Sequence, residues 1–544
     1  MYIHVQESIH SPWDLISKQM NDMKKIYMIL LATCGLMACT SDLDQEPQTD
    51  SQTTADVVYG SEEGYKMALA KLYASYVIVG HEQGGGNADI SSNNGYDFLR
   101  GYFNLQECPT DEVAGTWLSG DKIEGLTYMT WDANDPWVAD TYYRAYYTIA
   151  LCNEFLSHAT ESATAGSANL TAYRAEARFL RALAYYYVLD LFGQGPFVDE
   201  TMGVGAYTPE RYSNAQLFSF VESELKDIAA NGLLAPNAVE YGRASQAAAW
   251  ALLAKLYLNA EVYGSGNHYT DCITYCKQIM NAGYSLEPEY HKLFNADNNK
   301  RTNEIIFPFI VDAVNTVSWG ATTYIVCGEC GNSSSQDPAK YGLTGGWGMF
   351  RVRGELPELF SGNEAADSRF MFYTDGQEQW LTKAIDDQSQ GYFGEKFSNL
   401  TDAGEAASNT GAVGADIDYP VFRLADVYLM LAESVIRGGS GSSREEALQL
   451  VNKLRERAYG NADGHINEAQ LTLQFILDER ARELYWESCR RTDLIRFGQF
   501  TGGAYKWQWK GGVVDGRPTE SKYNVYPIPT AELSANPNLK NENY

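Results

Sequence analysis

Basic residues are in short supply. Lys and Arg number 41 against 70 Asp and Glu over 544 residues, a formal charge of −29. Such a field disfavours nucleic acid and polyanionic glycans and suits neutral partners, without bearing on the fold. Histidine is scarcer, with seven scattered copies, and no HExxH, GxSxG or P-loop pattern occurs. A glycosidase needs only two carboxylates about 5–10 Å apart across a cleft, so an all-helical glycosidase stays as the lesser alternative. No segment past residue 39 reaches the roughly 20 apolar residues of a bilayer span. A second C-x-x-C is also missing. "CGEC" at 327–330 stands alone, without a zinc partner motif or a surrounding βαβ pattern, which leaves a local disulfide or two reduced thiols.

One short apolar run is present, "IYMILLATCGLMAC", residues 26–39. Lys24 and Lys25 precede it, and small and medium side chains lead into Cys39. Basic start, short apolar core and small-residue exit make a signal peptide over 23–38. Residues 1–22 read as an upstream extension outside the fold. Ending on Cys rather than A-x-A resembles the bacterial lipoprotein signal, in which the cysteine is lipidated and becomes the first mature residue. Cys39 is therefore the candidate lipidation site, and "SDLD" after it resembles the acidic surface-export tag of Bacteroidetes lipoproteins. Seven cysteines then remain, a number that cannot all pair internally.

The body, 39–544, reads as one mainly all-α domain built from helix pairs. In 172–197, Ala175, Phe179, Ala182, Leu183, Tyr186 and Leu189 recur every three or four residues, with Gly193 and Pro196 as stops. From 244, Trp250, Leu253, Ala254 and Tyr257 keep the W-x2-L-G-x2-Y spacing of a tetratricopeptide repeat, with Ala for Gly. Its partner helix carries a stripe of Tyr269, Cys272, Cys276 and Ile279. Leu424, Ala425 and Tyr428 repeat the spacing, "GGSGSS" is the loop, and 444–458 the return helix. Further helices are expected at 63–76 and 142–158. The irregular spacing makes this a divergent scaffold rather than a regular solenoid. Between the helices, 79–136, 285–420 and 499–544 read as long loops rich in Gly, Asn, Asp, Trp and Tyr, of a length that is usually functional.

"ERARELYWESCRRTDLIRFGQF" (479–500) and "YPIPTAELSANPNLKNENY" (526–544) resemble the C-terminal signatures of the SusD/RagB family. "RALAYYYVLDLFG", "FRLADVYLMLAE", "QECPTDE" and "YKWQWKGG" agree along the mature chain, the last two most closely with the family's starch binders. The resemblance implies a tetratricopeptide-like scaffold with ligand-binding loops on one side. It implies a non-enzymatic, cofactor-free lipoprotein on the outer-membrane surface, seated as a lid on a TonB-dependent transporter and capturing oligosaccharides. Its cargo would be a starch-like α-glucan; another glycan, a peptide, or a purely protein-binding adaptor are the alternatives.

A sugar ring has C–H faces and a hydroxyl edge, and an indole offers the former a flat apolar partner. Trp117 in "GTWLSG", Trp319 in "VSWGAT" and Trp347 in "TGGWGM" lie among glycines. In the family's starch binders three aromatics follow the curve of an α-glucan helix, and these three residues fall on that arc. The middle member, a tyrosine in the prototype, is a tryptophan here. Arg100 in "FLRGYFN" falls where the prototype places an arginine on the sugar hydroxyls. Two departures stand out: Gly115 replaces a second tryptophan, and Gly120 a polar asparagine. Asp89 is a weaker candidate for a polar contact. Glu487, Arg490 and Arg491 in "WESCRR" read as one buried ion network fixing the last helix. Asp297, Asp416 and Asp418 lie in acidic loops, but the pattern commits them to no metal.

Overall fold

The computed structural model describes residues 54–80, 88–90, 96–202, 205, 207–332, 335–408 and 414–544. The leader and Cys39 lie outside these residues. The chain divides into two units, 1–64 and 65–544. The described part of the first holds the short helix Ala55–Val58 and the start of helix α1, Glu62–Ala74.

The remaining helices of seven or more residues are α2 (Phe98–Glu107), α3 (Pro136–His158), α4 (Ala168–Phe192), α5 (Asn214–Asn231), α6 (Gln246–Leu258), α7 (Tyr269–Met280), α8 (Ala321–Glu329), α9 (Leu424–Ile436), α10 (Arg444–Tyr459), α11 (Leu473–Leu484) and α12 (Arg490–Arg496). From α3 to α7 each helix packs on the next, and α7 then packs on α9, and α9 on α10 and α11. This mostly helical, tetratricopeptide-like stack is the expected fold class. The stripe Tyr269, Cys272, Cys276 and Ile279 is buried, as are Leu424, Ala425 and Tyr428.

Local chemistry moves several boundaries. Helix α3 begins at Pro136 rather than 142, because the Asp135 side chain accepts hydrogen bonds from Trp137 N and Val138 N, with Pro136 at the first helical position. Helix α4 runs from 168, where Ser167 accepts from Leu170 N, to Phe192, where Gly193 takes the left-handed C-cap (φ 66°). Beyond its first turns it is buried on almost every side, so the apolar face expected from its spacing is only part of its contact with α3 and α5. Among the described residues, the stretches expected as loops carry two helices of seven or more residues, α2 and α8, besides shorter ones.

Among the described residues, eight short strands pair as four antiparallel two-stranded sheets. One pair, β1 (Val113–Gly115) with β5 (Phe350–Val352), positions the candidate site. The strands between them are β2 (Gln194–Pro196), β3 (Arg211–Ser213) and β4 (Ile305–Phe309); β6 (Phe372–Tyr373), β7 (Phe393–Gly394) and β8 (Tyr419–Arg423) follow.

The run "WESCRR" does not form one ion network. Glu487 pairs with Arg423 (2.6 Å) and Lys396 (2.7 Å), whereas Arg490 grips Asp111 (2.6 Å). Arg491 donates to the carbonyl of Asn524 (2.6 Å). Arg491 also pairs with Asp190 (3.5 Å), so the residues of this segment are tied to different parts of the chain. The denser cluster is centred on α11: Glu483 meets Arg423 (2.6 Å), Arg369 (3.2 Å) and Arg457, and Glu479 meets Arg369, Arg455 and Arg482 (2.8 Å each). All seven described cysteines are buried free thiols, Cys327 and Cys330 included.

Candidate functional site

The β1–β5 ladder brings two distant loops abreast. Gly115 pairs with Phe350, and just beyond the ladder Thr116 N donates to Met349 O (2.8 Å). Continuing that register puts Trp117 opposite Gly348, one residue from Trp347, and the two indole centroids lie 6.4 Å apart with planes inclined 29°. Trp347 N is tied to Cys327 O (2.7 Å), at the end of α8. Trp319 reaches the same place from the segment before α8, 6.0 Å from Trp347 at 37°. In space Trp347 is the ring that touches both others. Trp117 and Trp319 are each 43% exposed, Trp347 less so. The structure thus brings together the three tryptophans picked from sequence.

Arg100 lies behind this surface, only 4% exposed. It sits on α2, whose N-cap is Asp97. Its Nη1 donates to Trp319 O (2.5 Å) and its Nη2 to Asp121 Oδ1 (2.8 Å). The guanidinium carbon is 3.5 Å from the Tyr96 ring centroid and 3.9 Å from that of Tyr324, a stacked geometry that suits arginine. Nη1 and Nη2 are thus engaged by the protein, while the buried Nε has no hydrogen-bond partner among the described residues.

Asp121 is the second brace. Its N–H donates to Trp117 O (2.9 Å), and its own carbonyl accepts from Trp137 Nε1 (2.7 Å). Burial pushes its carboxyl up and Arg100 pulls it back, leaving a net rise. Through Asp121 and Arg100, the backbones carrying Trp117 and Trp319 share one support. Tyr324 completes it, donating to Asn104 Oδ1 (2.8 Å), with its phenol pushed well up by burial and so kept neutral. Tyr96, Asp121 and Tyr324 were not singled out from sequence, and their types carry no local signal.

Asp97 also shapes the Trp319 turn, accepting from Ser318 Oγ (3.1 Å) and Ala321 N (3.1 Å). A Cβ on Gly320 would lie 1.4 Å from Asp97 Oδ2. Gly320→Ala is therefore expected to displace the turn and lose platform binding and stability together, by calorimetry and thermal melts. Arg353, fully buried, bundles the loops from below: it donates to the carbonyls of Val113 (2.9 Å), Cys108 (3.2 Å), Thr127 (2.9 Å) and Gln508.

The departures from the family pattern have a physical setting. The space beside Gly115 is filled, since a Cβ there would lie 3.0 Å from Ile123, whereas Gly120 faces open space. Asp89 is taken by Lys71 (2.6 Å). Asp416 and Asp418 accept from Ala313 N and Val311 N, and Asp297 pairs with Lys300. Among the described residues no group of three His, Cys, Asp or Glu side chains is arranged to hold a metal ion.

A helical-repeat scaffold presenting adjoining indoles on braced loops is the construction of a carbohydrate-binding protein. The SusD family profile matches residues 252–544, and a profile described as starch-binding, associating with the outer membrane, matches 111–258. The chain is 32% identical to the starch-binding protein SusD of Bacteroides thetaiotaomicron, covering 97% of this chain and all of that one. It is 23% identical to SusD-like protein P25 of Formosa agariphila, over 94% of this chain and 97% of the relative. A SusD superfamily crystal structure from Parabacteroides distasonis superimposes with TM-score 0.69 at 20% identity, covering 91% of this chain and all of that one. Surface glycan-binding protein A of Bacteroides thetaiotaomicron, solved with laminarihexaose, gives 0.67 at 19% identity over 89% and 99%. The chain belongs to the SusD family, and it is a carbohydrate-binding protein rather than an enzyme. Among the described residues no helix is long and apolar enough to cross a membrane.

Proposed function

We propose that this protein captures starch-like α-glucan oligosaccharides at the cell surface and delivers them to a TonB-dependent outer-membrane transporter. The observation that carries the reading is the contiguous Trp117–Trp347–Trp319 surface, with its two outer rings open to solvent. The near full-length likeness to a starch-binding protein supports α-glucan as cargo. Arg100 acts as a positioning residue, fixing the Trp319 backbone. Ordering a flexible sugar offsets much of the stacking energy, so affinity falls roughly in the micromolar to millimolar range. Native gels containing amylopectin test this reading: retardation without released reducing sugar is expected. Free migration in amylopectin with retardation in another polysaccharide would transfer the same role to that glycan.

Cys39 is the proposed lipid anchor, holding the protein on the outer membrane with its glycan surface facing the transporter. Cys39→Ala is expected to release the protein from the membrane fraction, because one thiol carries the lipid. Unchanged partitioning of the variant, or processing insensitive to globomycin, would contradict the assignment.

A further inference from the structure

The platform does not end at Trp117. Its neighbour Leu118 packs on a small buried cluster of Ala114, Leu381 and Ile385, which Tyr128 and Trp509 also cover. Trp509 is held there by its indole, which donates to Leu381 O (3.0 Å), and stands 5.8 Å from the Tyr128 ring. Its backbone is left-handed (φ 66°), uncommon for a residue other than glycine and a mark of surroundings that hold it in place. Next to Leu381 along the chain is Trp380, 39% exposed. Its six-membered ring lies against Gly354, where a Cβ would come within 2.3 Å of Cε3. Gln379 beside it donates to Gly354 O (2.9 Å) and Glu358 Oε2 (3.1 Å), pinning the two segments together. A glycine bed and a pinned flank are what an indole needs to lie flat with one face in water.

We propose that the same glucan chain, once it passes Trp117, continues over Leu118 and the Tyr128–Trp509 pair onto Trp380, which serves as a distal stacking platform and sets a preference for long chains. The inference rests on the α-glucan reading of the arc. The occupant is argued from continuity: Trp117 and Leu118 are adjacent, Leu118 and Trp509 pack on one apolar cluster, and Trp380 immediately precedes Leu381 of that cluster. A neutral polymer also suits an acidic protein better than a charged one.

The test is a length series of maltotriose, maltoheptaose and amylopectin on wild type, Trp380→Ala, Gly354→Ala and Trp319→Ala. For Trp380→Ala we expect unchanged maltotriose affinity, an unchanged melting temperature, and amylopectin affinity weakened about threefold or more, one stacking contact being lost. Gly354→Ala, which pushes the ring from its bed, should give the same pattern. Trp319→Ala should weaken all three ligands. If Trp319→Ala weakens binding while both Trp380→Ala and Gly354→Ala match wild type on amylopectin, the extension is overturned and the arc stands. Loss of transporter co-purification with an unchanged length series would likewise overturn it, assigning Trp380 to a protein interface. Wild type that binds none of the three would overturn the α-glucan reading itself.

Discussion

Trp319→Ala is expected to weaken α-glucan binding about tenfold or more while leaving the melting temperature nearly unchanged. The ring is 43% exposed, so its removal opens no sizeable cavity. What is lost is one face for a sugar ring, about 1 kcal/mol beyond its area burial. Together with that burial, this reaches the roughly 1.4 kcal/mol of a tenfold change. The turn stays in place because Arg100 and Asp97 hold the backbone at Trp319 O and Ala321 N rather than the indole. Trp347→Ala should cost at least as much binding, since that ring contacts both others, and somewhat more stability, since it also stands 6.3 Å from Tyr324. Calorimetry with maltoheptaose and thermal melts on each variant separate the two quantities. Unchanged affinity, or a loss of several degrees in the Trp319 variant, would make Trp319 a structural residue.

Glu483→Gln is expected to destabilise the fold by about 3–5 kcal/mol, the usual cost of breaking a buried ion pair from one side. Glu483 is fully buried and neutralises Arg423, Arg457 and Arg369 together. Gln keeps the shape and removes the charge, so three guanidinium groups lose a shared counter-ion. Burial pushes this carboxyl up, but Arg457, Arg423 and Arg369 outweigh it and hold it at about 2. A free glutamate titrates near about 4.3, so the folded value is depressed. Its contribution is therefore present above about pH 4.3 and disappears as pH falls through about 2. Denaturant melts from pH 7 to pH 2 should show a steeper acid decline in wild type than in the variant. Parallel declines would place the acid sensitivity elsewhere in the cluster.

What the sequence made legible follows from the range of each signal. Helices α4, α6, α7, α9 and α10 showed because apolar residues repeat at helical spacing over many turns, and apart from the half-buried Trp250 their named stripes are buried. Helix α2 was hidden by its ten-residue length and the glycine-rich and asparagine-rich run before Asp97. Helix α8, "ATTYIVCGE", is buried on every side, so it has no polar face and no periodicity to read. Strands β1 and β5 are three residues each, too short for alternation to register, yet they set the spacing of the platform. The tryptophans themselves were legible as indoles among glycines at matching family positions. Arg100 was legible as a residue, but its protein partners Asp121 and Trp319 were not, because they lie 21 and 219 positions away. Type and neighbourhood suggest a sugar contact, and only the fold shows which donors are already committed.

The central claim is that three adjoining indoles form a binding surface for a chain that curves. Calorimetric titration of the wild-type protein with maltoheptaose, a cyclodextrin and cellohexaose tests it most directly. A preformed surface lowers the ordering cost for ligands that already curve, so maltoheptaose and the cyclodextrin should bind with micromolar to millimolar Kd values and clearly more tightly than the straight cellohexaose. Cellohexaose binding as tightly as maltoheptaose, or no heat from either curved ligand, would contradict the account.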